Sequence, residues 1–258
     1  MDLKENRLSI IISDIIKNGQ IDIKSLSKKL KVSTMTIYRD VEEFTKSGVI
    51  KKEKGILSSS QTFTLEYFHD VRANLNLAPK IKTAEEAGKI IKPNSFVAID
   101  DSTTCLQFAN FPKYFENTTV VTNNIKLINI FSKNPKIKII SLGGRYNRPT
   151  GSFLGLSTEN TASQIPCHYL FMSSSSLDGT KLYTHDEDVF RTKAIQMINS
   201  EKKYFLCDSS KIGKKAMNVQ ADLSNFEKCF FAGNFFDKGF ESLLKKKKIN
   251  FAYFKTKN

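Results

Sequence analysis

The chain has 258 residues, of which 40% are hydrophobic and 26% are charged. This balance is typical of a folded, soluble protein, and the length is sufficient for two domains. The formal net charge of +14 favours an anionic partner such as nucleic acid, a phosphorylated small molecule or a membrane surface. The start, MDLKENRL, lacks the apolar region of a secretory signal, and no apolar run approaches the roughly 18 residues of a membrane span, so we expect a cytoplasmic protein without membrane contact.

The first sixty residues carry three helical patterns. An apolar stripe over residues 8 to 16 recurs at three-and-four spacing and predicts a first helix that ends at Asn18-Gly19. Asp22 is suited to cap a second, short helix. Ser33 is suited to cap a third helix, which would end at Gly48.

The start of the third helix carries small hydroxyl residues and an Arg instead of packing residues. Its inward stripe is Ile37, Val41 and Phe44. Met35 and Arg39 stand opposite this stripe, which is the geometry of a recognition helix. We expect Thr34, Met35 and Arg39 to face base edges in a major groove. The hydroxyls expected to face phosphates are those of Ser33, Thr36 and Tyr38.

The segment VIKKEKGIL follows and predicts a β-hairpin with Gly55 at its turn. Such a wing could place Lys51, Lys52 and Lys54 against backbone phosphates. A three-helix module that packs without touching nucleic acid would show the same helical spacing, so this alternative stays open here.

The stretches VSTMTIYRDV, EEFTKSG and VIKKEKGIL together resemble the N-terminal winged helix of the DeoR family of bacterial transcription regulators. The usual pattern there is V-S-x-x-T-I-R-R-D-L, an acidic helix continuation, a Gly, and a basic wing ending in H-G-G-A. In this chain Tyr38 stands where the family has its first Arg, and residues 54 to 57 replace H-G-G-A. The resemblance implies a winged helix-turn-helix over residues 1–57 that binds a double-stranded DNA operator.

Residues 58–77 lose clear periodicity and are expected to form a linker. From Pro79 onwards helical stretches alternate with apolar strands, which predicts an α/β layered domain with a mainly parallel sheet over residues 78–258. Helices are expected up to Ile91, after Thr104 and around Ile128. The predicted strands are SFVAID, TVVTN, KIIS, YLFMS, YFLC, KCFFA and NFAYF.

Polar residues follow four of these strands. They lie at residues 100 to 104, 122 to 123, 142 to 145 and 208 to 211. Because the carboxyl ends of parallel strands meet at one edge of a sheet, these residues predict a site for a polar anion, with Ser102 to Thr104 at a helix N-terminus suited to phosphate. Each segment taken alone is more typical of a cap, a turn or a solvated charge.

The same segments resemble the C-terminal sensor domain of the DeoR family, which shares an architecture with ribose-5-phosphate isomerase and shows D-x-G-T-T, T-N, L-G-G and D-x-S-K in this order. In this chain Ser102 replaces the family's Gly, and Asp101 adds a carboxylate where a small residue is usual. The resemblance implies a phosphorylated sugar as effector. Including Asp178 from the turn after Ser176, the expected effector-binding residues are Asp100, Ser102, Thr103, Thr104, Thr122, Asn123, Gly143, Gly144, Arg145, Asp178 and Lys211.

The cysteines and histidines are scattered along the chain. The four cysteines include no C-x-x-C pair and lie in or beside apolar runs, which favours buried, reduced thiols. The three histidines lack metal-ligand spacing, so we expect neither a metal nor a cofactor.

The sequence therefore predicts a DNA-binding transcription regulator, a repressor of a sugar-metabolism operon, that acts as a dimer or tetramer on paired half-sites. One alternative is a sugar-phosphate isomerase-like enzyme with an appended helix-turn-helix, because the scaffold and Lys211 permit it. No carboxylate is committed by the sequence to proton transfer, so we expect no enzyme activity. A nonspecific nucleic-acid-binding protein that relies on net charge is the third possibility.

Overall fold

The N-terminal helices follow the predicted apolar stripes. The computed structural model describes residues 3–46, 50–59 and 69–256, and the chain divides into two compact units, Met1–Leu75 and Asn76–Asn258. In the first unit the helices are α1 (Leu3–Asn18), α2 (Ile23–Leu30), α3 (Thr34–Lys46) and α4 (His69–Asn74). The fully buried side chains at their contacts are Ile11, Ile12, Ile15, Leu26 and Ile37.

The predicted caps of α2 and α3 are confirmed. The carboxylate of Asp22 accepts a hydrogen bond from the Ser25 amide at 2.8 Å, and the hydroxyl of Ser33 accepts one from the Thr36 amide at 3.1 Å. Each caps an amide of the first helical turn, where the usual acceptor four residues earlier is missing. The predicted end of α3 at Gly48 lies outside the described residues.

The wing is a β-hairpin, as predicted. The strands are β1 (Gln20–Asp22), β2 (Ile50–Glu53) and β3 (Ile56–Ser59), in the order β1-β3-β2. Lys54 and Gly55 connect β2 to β3 with φ of 48° and 82°, a two-residue turn that needs positive φ at both positions. The pairing of β1 with β3 was not predicted from the sequence. It joins the wing to the connection between α1 and α2.

The second unit contains a seven-stranded sheet in which every neighbouring pair is parallel. Within the described residues its strands are β4 (Phe96–Ile99), β5 (Thr118–Thr122), β6 (Ile137–Ser141), β9 (Cys167–Met172), β12 (Ser200–Asp208), β14 (Lys228–Gly233) and β15 (Phe251–Lys255). Their order is β15-β14-β12-β9-β4-β5-β6. All seven predicted strands are confirmed.

Within the described residues, the second unit also contains short antiparallel strands, five α-helices and several 3₁₀ helices. The hairpin strands are β7 (Arg145–Asn147) and β8 (Ser152–Leu154), and a small sheet contains β10 (Ser176–Asp178), β11 (Lys181–Thr184) and β13 (Asn218–Asp222). The helices are α5 (Leu77–Gly88), α6 (Ile125–Phe131), α7 (Leu156–Ser163), α8 (Glu187–Ile198) and α9 (Lys238–Lys246). None of the helices in the described part of the chain is both long and apolar enough to cross a bilayer.

Two predicted helices differ in the structure. The helix expected to reach Ile91 ends at Gly88, where a Cβ would lie 2.4 Å from the ring of Tyr114, so the close packing of that ring needs a glycine. The helix expected after Thr104 is a 3₁₀ helix, Cys105–Asn110. Cys105 and Phe108 are both fully buried, and a 3₁₀ helix places residues three apart on the same side.

The four cysteines are buried, as the sequence indicates. Burial raises the pKa of each thiol, that of Cys167 to about 11. The thiolate form is therefore scarce at neutral pH, which makes these side chains poor nucleophiles.

Candidate functional site

The two faces of α3 are those that the apolar stripe predicts. Ile37 and Val41 are buried, while Met35 is 60% exposed, and Thr34 and Arg39 are also exposed. A large apolar side chain left in water beside an Arg is suited to a partner surface. The faces are confirmed, whereas the roles of these side chains at bases remain predictions.

Two hydroxyls expected to meet phosphates already contact each other. The oxygens of Ser33 and Thr36 lie 3.0 Å apart, and either can be the donor. In the arrangement in which Thr36 donates to Ser33, the Ser33 proton remains available to a phosphate oxygen.

Tyr38 joins α3 to the wing. The Nζ of Lys52 lies 3.7 Å from the centroid of the Tyr38 ring, a cation–π contact that holds the two elements together. Lys51, Lys52 and Lys54 are all exposed. Tyr38, which replaces an Arg of the family pattern, thereby has a structural contact in addition to its expected hydroxyl contact with DNA.

Asp40 fixes α3 to α1. Its carboxylate is 4% exposed and accepts two hydrogen bonds from the guanidinium of Arg7, at 2.7 and 3.1 Å. A bidentate pair of this kind sets orientation as well as adding energy. Asp40 therefore positions the helix that presents Met35 and Arg39.

In the second unit, Asp100 at the end of β4 ties two strand ends together. One carboxylate oxygen accepts hydrogen bonds from the amide and the hydroxyl of Ser102, at 3.0 and 2.6 Å. The other accepts one from the Ser173 amide at 2.8 Å and lies 2.9 Å from the Nζ of Lys193. Burial opposes ionisation, but Lys193 and these hydrogen bonds outweigh it and lower the pKa of Asp100.

Lys211 reaches the same place from the end of β12. Its Nζ donates to the hydroxyls of Thr104, at 3.1 Å, and Ser173, at 2.9 Å. The nearest carboxylate oxygen of Asp208 is 3.9 Å away, so this cation is held mainly by neutral hydroxyls. Lys80 approaches from α5, with its Nζ 3.1 Å from the Thr103 hydroxyl. The segment 100–104 and Lys211 are thus brought together, as the strand-end argument predicts.

Lys193, on α8, belongs to this site and was missed by the sequence reasoning. Its side chain is 6% exposed and lies near both Asp100 and Asp101. The available signal was its spacing from Val189 and Gln196, which are also buried and place Lys193 on the inward face of α8. We refer to Asp100, Asp101, Lys80, Lys193, Asp208 and Lys211, with the hydroxyls around them, as the strand-end cluster.

The side chains of Thr122 and Asn123 bind backbone groups of the adjacent strands β4 and β8 and of the turn before α6. The Thr122 hydroxyl donates to the Ile99 carbonyl at 2.7 Å and accepts from the Asn124 amide at 3.1 Å. The side-chain Nδ2 of Asn123 donates to the Phe153 carbonyl at 3.0 Å. The side-chain oxygen of Asn123 is buried and has no hydrogen-bond partner among the residues that the structure describes, so it could accept from a ligand.

Four other predicted residues have separate contacts. Gly144 has φ of 112°, and a Cβ there would meet the Thr158 hydroxyl at 2.1 Å, because Thr158 donates to the Gly143 carbonyl. Arg145 pairs with Asp188 at 2.8 Å. Asp178 pairs with Lys215 at 3.3 Å. Gly144 permits the close approach of α7, and neither ion pair includes a member of the strand-end cluster.

The described residues contain no group of three or more His, Cys, Asp and Glu side chains that could hold a metal ion. The strand-end cluster combines lysines with hydroxyls and carboxylates, a donor set suited to an organic anion that also carries hydroxyls. The chain combines a winged helix-turn-helix with a separate α/β unit that contains the strand-end cluster. This combination defines the class of ligand-responsive DNA-binding regulators.

Comparison with known proteins is consistent with this class. The family model described as the DeoR-like helix-turn-helix domain matches residues 7–62, and that of the DeoR C terminal sensor domain matches residues 75–231. The chain belongs to the DeoR family of transcription regulators.

Similar proteins cover most of the chain. The HTH-type transcriptional regulator IolR of Bacillus subtilis is 29% identical over 85% of this chain and 87% of its own length. The lactose phosphotransferase system repressor of Staphylococcus epidermidis is 29% identical over 82% and 85%. Among solved structures, ribose 5 phosphate isomerase A from Neisseria gonorrhoeae matches 52% of each chain with 16% identity and a TM-score of 0.38.

Proposed function

We propose that this regulator reads its operator with the exposed face of α3 and holds the flanking phosphates with the wing. Thr34, Met35 and Arg39 would contact base edges, since they form the solvent-facing side of the helix start. Lys51, Lys52 and Lys54 would contact phosphates, together with the hydroxyls at the start of α3. The contact of Lys52 with Tyr38 supports the proposal because it orients the wing before DNA binds.

The proposed effector is a phosphorylated sugar at the strand-end cluster. The observation that carries this proposal is Lys211, whose Nζ lies within hydrogen-bond distance of the hydroxyls of Thr104 and Ser173, whereas its Asp208 partner oxygen is 3.9 Å away. A phosphate oxygen could replace either hydroxyl as its acceptor and gain a charge-assisted bond. The names of the relatives support a role in sugar metabolism, and the lactose phosphotransferase system repressor supports repression.

The chain is proposed to act without turnover, in the cytoplasm, and as a symmetric oligomer on paired half-sites. A proton-transfer enzyme needs a carboxylate or another base that is free to accept a proton. Asp100 is a poor base because its pKa is lowered and both its oxygens accept hydrogen bonds. Asp208 is the stronger candidate, since its Oδ2 has no hydrogen-bond partner among the described residues. Turnover of ribose 5-phosphate that is lost in Asp208→Asn would support the enzyme instead.

The test is fluorescence anisotropy on duplexes selected from a random pool, repeated with ribose 5-phosphate, glucose 6-phosphate and fructose 6-phosphate. We expect one sequence to be preferred and one sugar phosphate to change its affinity by about 5-fold to 150-fold, the usual range of allosteric coupling. Lys211→Gln should keep the operator and lose the response, while the exposed Lys214→Gln, a matched control, should keep both. A response that survives in Lys211→Gln would contradict the effector site, and equal affinity for all duplexes would contradict sequence-specific binding.

A further inference from the structure

The strand-end cluster holds two adjacent carboxylates close to a proposed phosphate site. Asp100 and Asp101 are both buried, at 0% and 7% exposure, and Asp100 is hydrogen-bonded to Ser102, two residues before Thr104. A phosphate monoester carries up to two negative charges, and buried carboxylates nearby would repel it. An anion can bind here only if these charges are neutralised or turned aside.

Lys193 does both. Its Nζ lies 2.9 Å from Asp100 and 3.5 Å from the nearer oxygen of Asp101. The other oxygen of Asp101 accepts a hydrogen bond from the Ser152 hydroxyl at 3.3 Å, which lies 2.7 Å from the hydroxyl of Thr150. The Asp101 side chain therefore faces α8 and β8.

The Lys193 ammonium also holds the backbone at Ser173, directly after β9. It donates to the Ser173 carbonyl at 2.8 Å, while the Ser173 amide donates to Asp100 and the Ser173 hydroxyl accepts from Lys211. The position of the Lys211 partner therefore depends on Lys193. Burial favours the neutral amine, but the two carboxylates outweigh burial and raise the pKa of Lys193 above its ordinary value, so it is charged at neutral pH.

The charges of the cluster balance only when Lys193 is counted. Its carboxylates are Asp100, Asp101 and Asp208, and its lysines are Lys80, Lys193 and Lys211. Without Lys193 the cluster would carry one net negative charge, close to where an anion must enter. In a poorly hydrated site a unit charge acts over several ångströms.

We propose that Lys193 is the positioning residue that makes this strand end accept a phosphate monoester. It neutralises Asp100 and Asp101 and holds Ser173 in place, so that Lys211 is left to bind the anion. This inference rests on the proposed function, since it concerns how the same effector is bound.

The test is isothermal titration calorimetry of the full chain with ribose 5-phosphate, glucose 6-phosphate, fructose 6-phosphate and inorganic phosphate. Lys193→Met removes the charge and keeps most of the side-chain volume, and we expect it to weaken binding of the preferred anion by about tenfold or more. The double variant Asp101→Asn/Lys193→Met restores the charge balance but not the hydrogen bond to the Ser173 carbonyl, so it should bind the preferred anion at least about threefold more tightly than Lys193→Met without reaching the affinity of the wild type. Lys138→Met, on the exposed edge strand β6, removes the same charge outside the cluster and should bind like the wild type.

The outcomes separate the two proposals. If the wild type binds none of the four anions, the proposed effector class fails and this inference fails with it. If the wild type binds one of them and Lys193→Met binds equally well, the inference alone is wrong. If Lys193→Met loses stability, the affinity of the folded double variant tests the inference. A purely structural role for Lys193 predicts that changing Asp101 as well recovers no affinity, and that result would contradict the inference.

Discussion

Arg39 and Asp40 are neighbours in the chain with opposite environments. Arg39 is exposed on the face of α3 opposite the core, whereas Asp40 is buried and paired with Arg7. One substitution at each position therefore separates recognition of DNA from support of the helix.

We expect Asp40→Asn to lower the free energy of unfolding of the N-terminal unit by about 1.5 to 3 kcal/mol, the usual contribution of a hydrogen bond to a charged group. The control is Asp14→Asn, because Asp14 pairs with Lys29, which is 53% exposed, and such pairs contribute about 1 kcal/mol or less. Urea denaturation followed by circular dichroism measures both. Equal losses in the two variants would show that the Arg7 pair has no special role.

Arg39→Ala should lose about 1 to 3 kcal/mol of discrimination at one operator base pair. Its exposed side chain makes the variant fold normally. Anisotropy with a set of singly substituted duplexes measures the change. Lys51→Ala is the comparison, since the loss of a phosphate contact should weaken all duplexes alike and reduce the salt slope by about one. Full discrimination in Arg39→Ala would remove Arg39 from its proposed place at a base edge.

At the scale of elements, the wing depends on a two-residue turn. Lys54 and Gly55 both have positive φ, and a Cβ on Gly55 would meet no atom within 4 Å. Any cost of substitution there is therefore conformational and not steric.

Gly55→Ala should destabilise the wing by about 1 kcal/mol and weaken DNA binding without changing the affinity for the effector. Gly55→Asn should have a smaller effect, because Asn adopts left-handed backbone more readily. Hydrogen exchange of the β2 and β3 amides reports on the wing, and anisotropy reports on DNA. A wing that opens more readily while DNA affinity stays constant would mean that the wing does not bind phosphates.

Several elements could be predicted from the sequence because one physical pattern dominates them. The stripe of Ile37 and Val41 fixes the faces of α3, and continuous apolar runs identify the seven parallel strands. The short strands β7, β8, β10, β11 and β13 were missed because three to five residues carry too little periodicity. Lys193 was missed because a helical Lys is usually exposed, and its partners lie about ninety residues earlier in the chain.

At the scale of the whole molecule, acid should destabilise the fold through its hydrogen-bonded carboxylates. Asp222 is partly desolvated, but hydrogen bonds from Ser224 and Thr180 and the contact with Lys181 outweigh this and lower its pKa from 3.8 to about 2. The pKa of Asp100 is also lowered. A depressed carboxyl pKa adds stability that is complete above the unfolded value and is lost as the pH falls through the folded value.

We therefore expect the free energy of unfolding of the C-terminal unit to fall between pH 3.8 and about 2. Asp222→Asn should be less stable than the wild type at neutral pH and should show a shallower decline over this range. Asp178→Asn, which removes a surface ion pair with Lys215, is the control and should follow the wild type. Identical pH profiles for Asp222→Asn and the wild type would show that Asp222 makes no contribution. Denaturation in urea at each pH provides the measurement.

The strand order of the large sheet also sets the sequence of events in folding. β4 pairs with β5 on one side, but on its other side Val97 pairs with Tyr169 of β9. During synthesis β4, β5 and β6 are complete long before β9 leaves the ribosome. The backbone groups on one edge of β4 therefore stay unpaired until β9 is available. Because distant pairings close slowly, we expect pulse-labelled hydrogen exchange to show protection in α1 to α3 before β9, and the unpaired edge of β4 to be where aggregation begins when folding is interrupted.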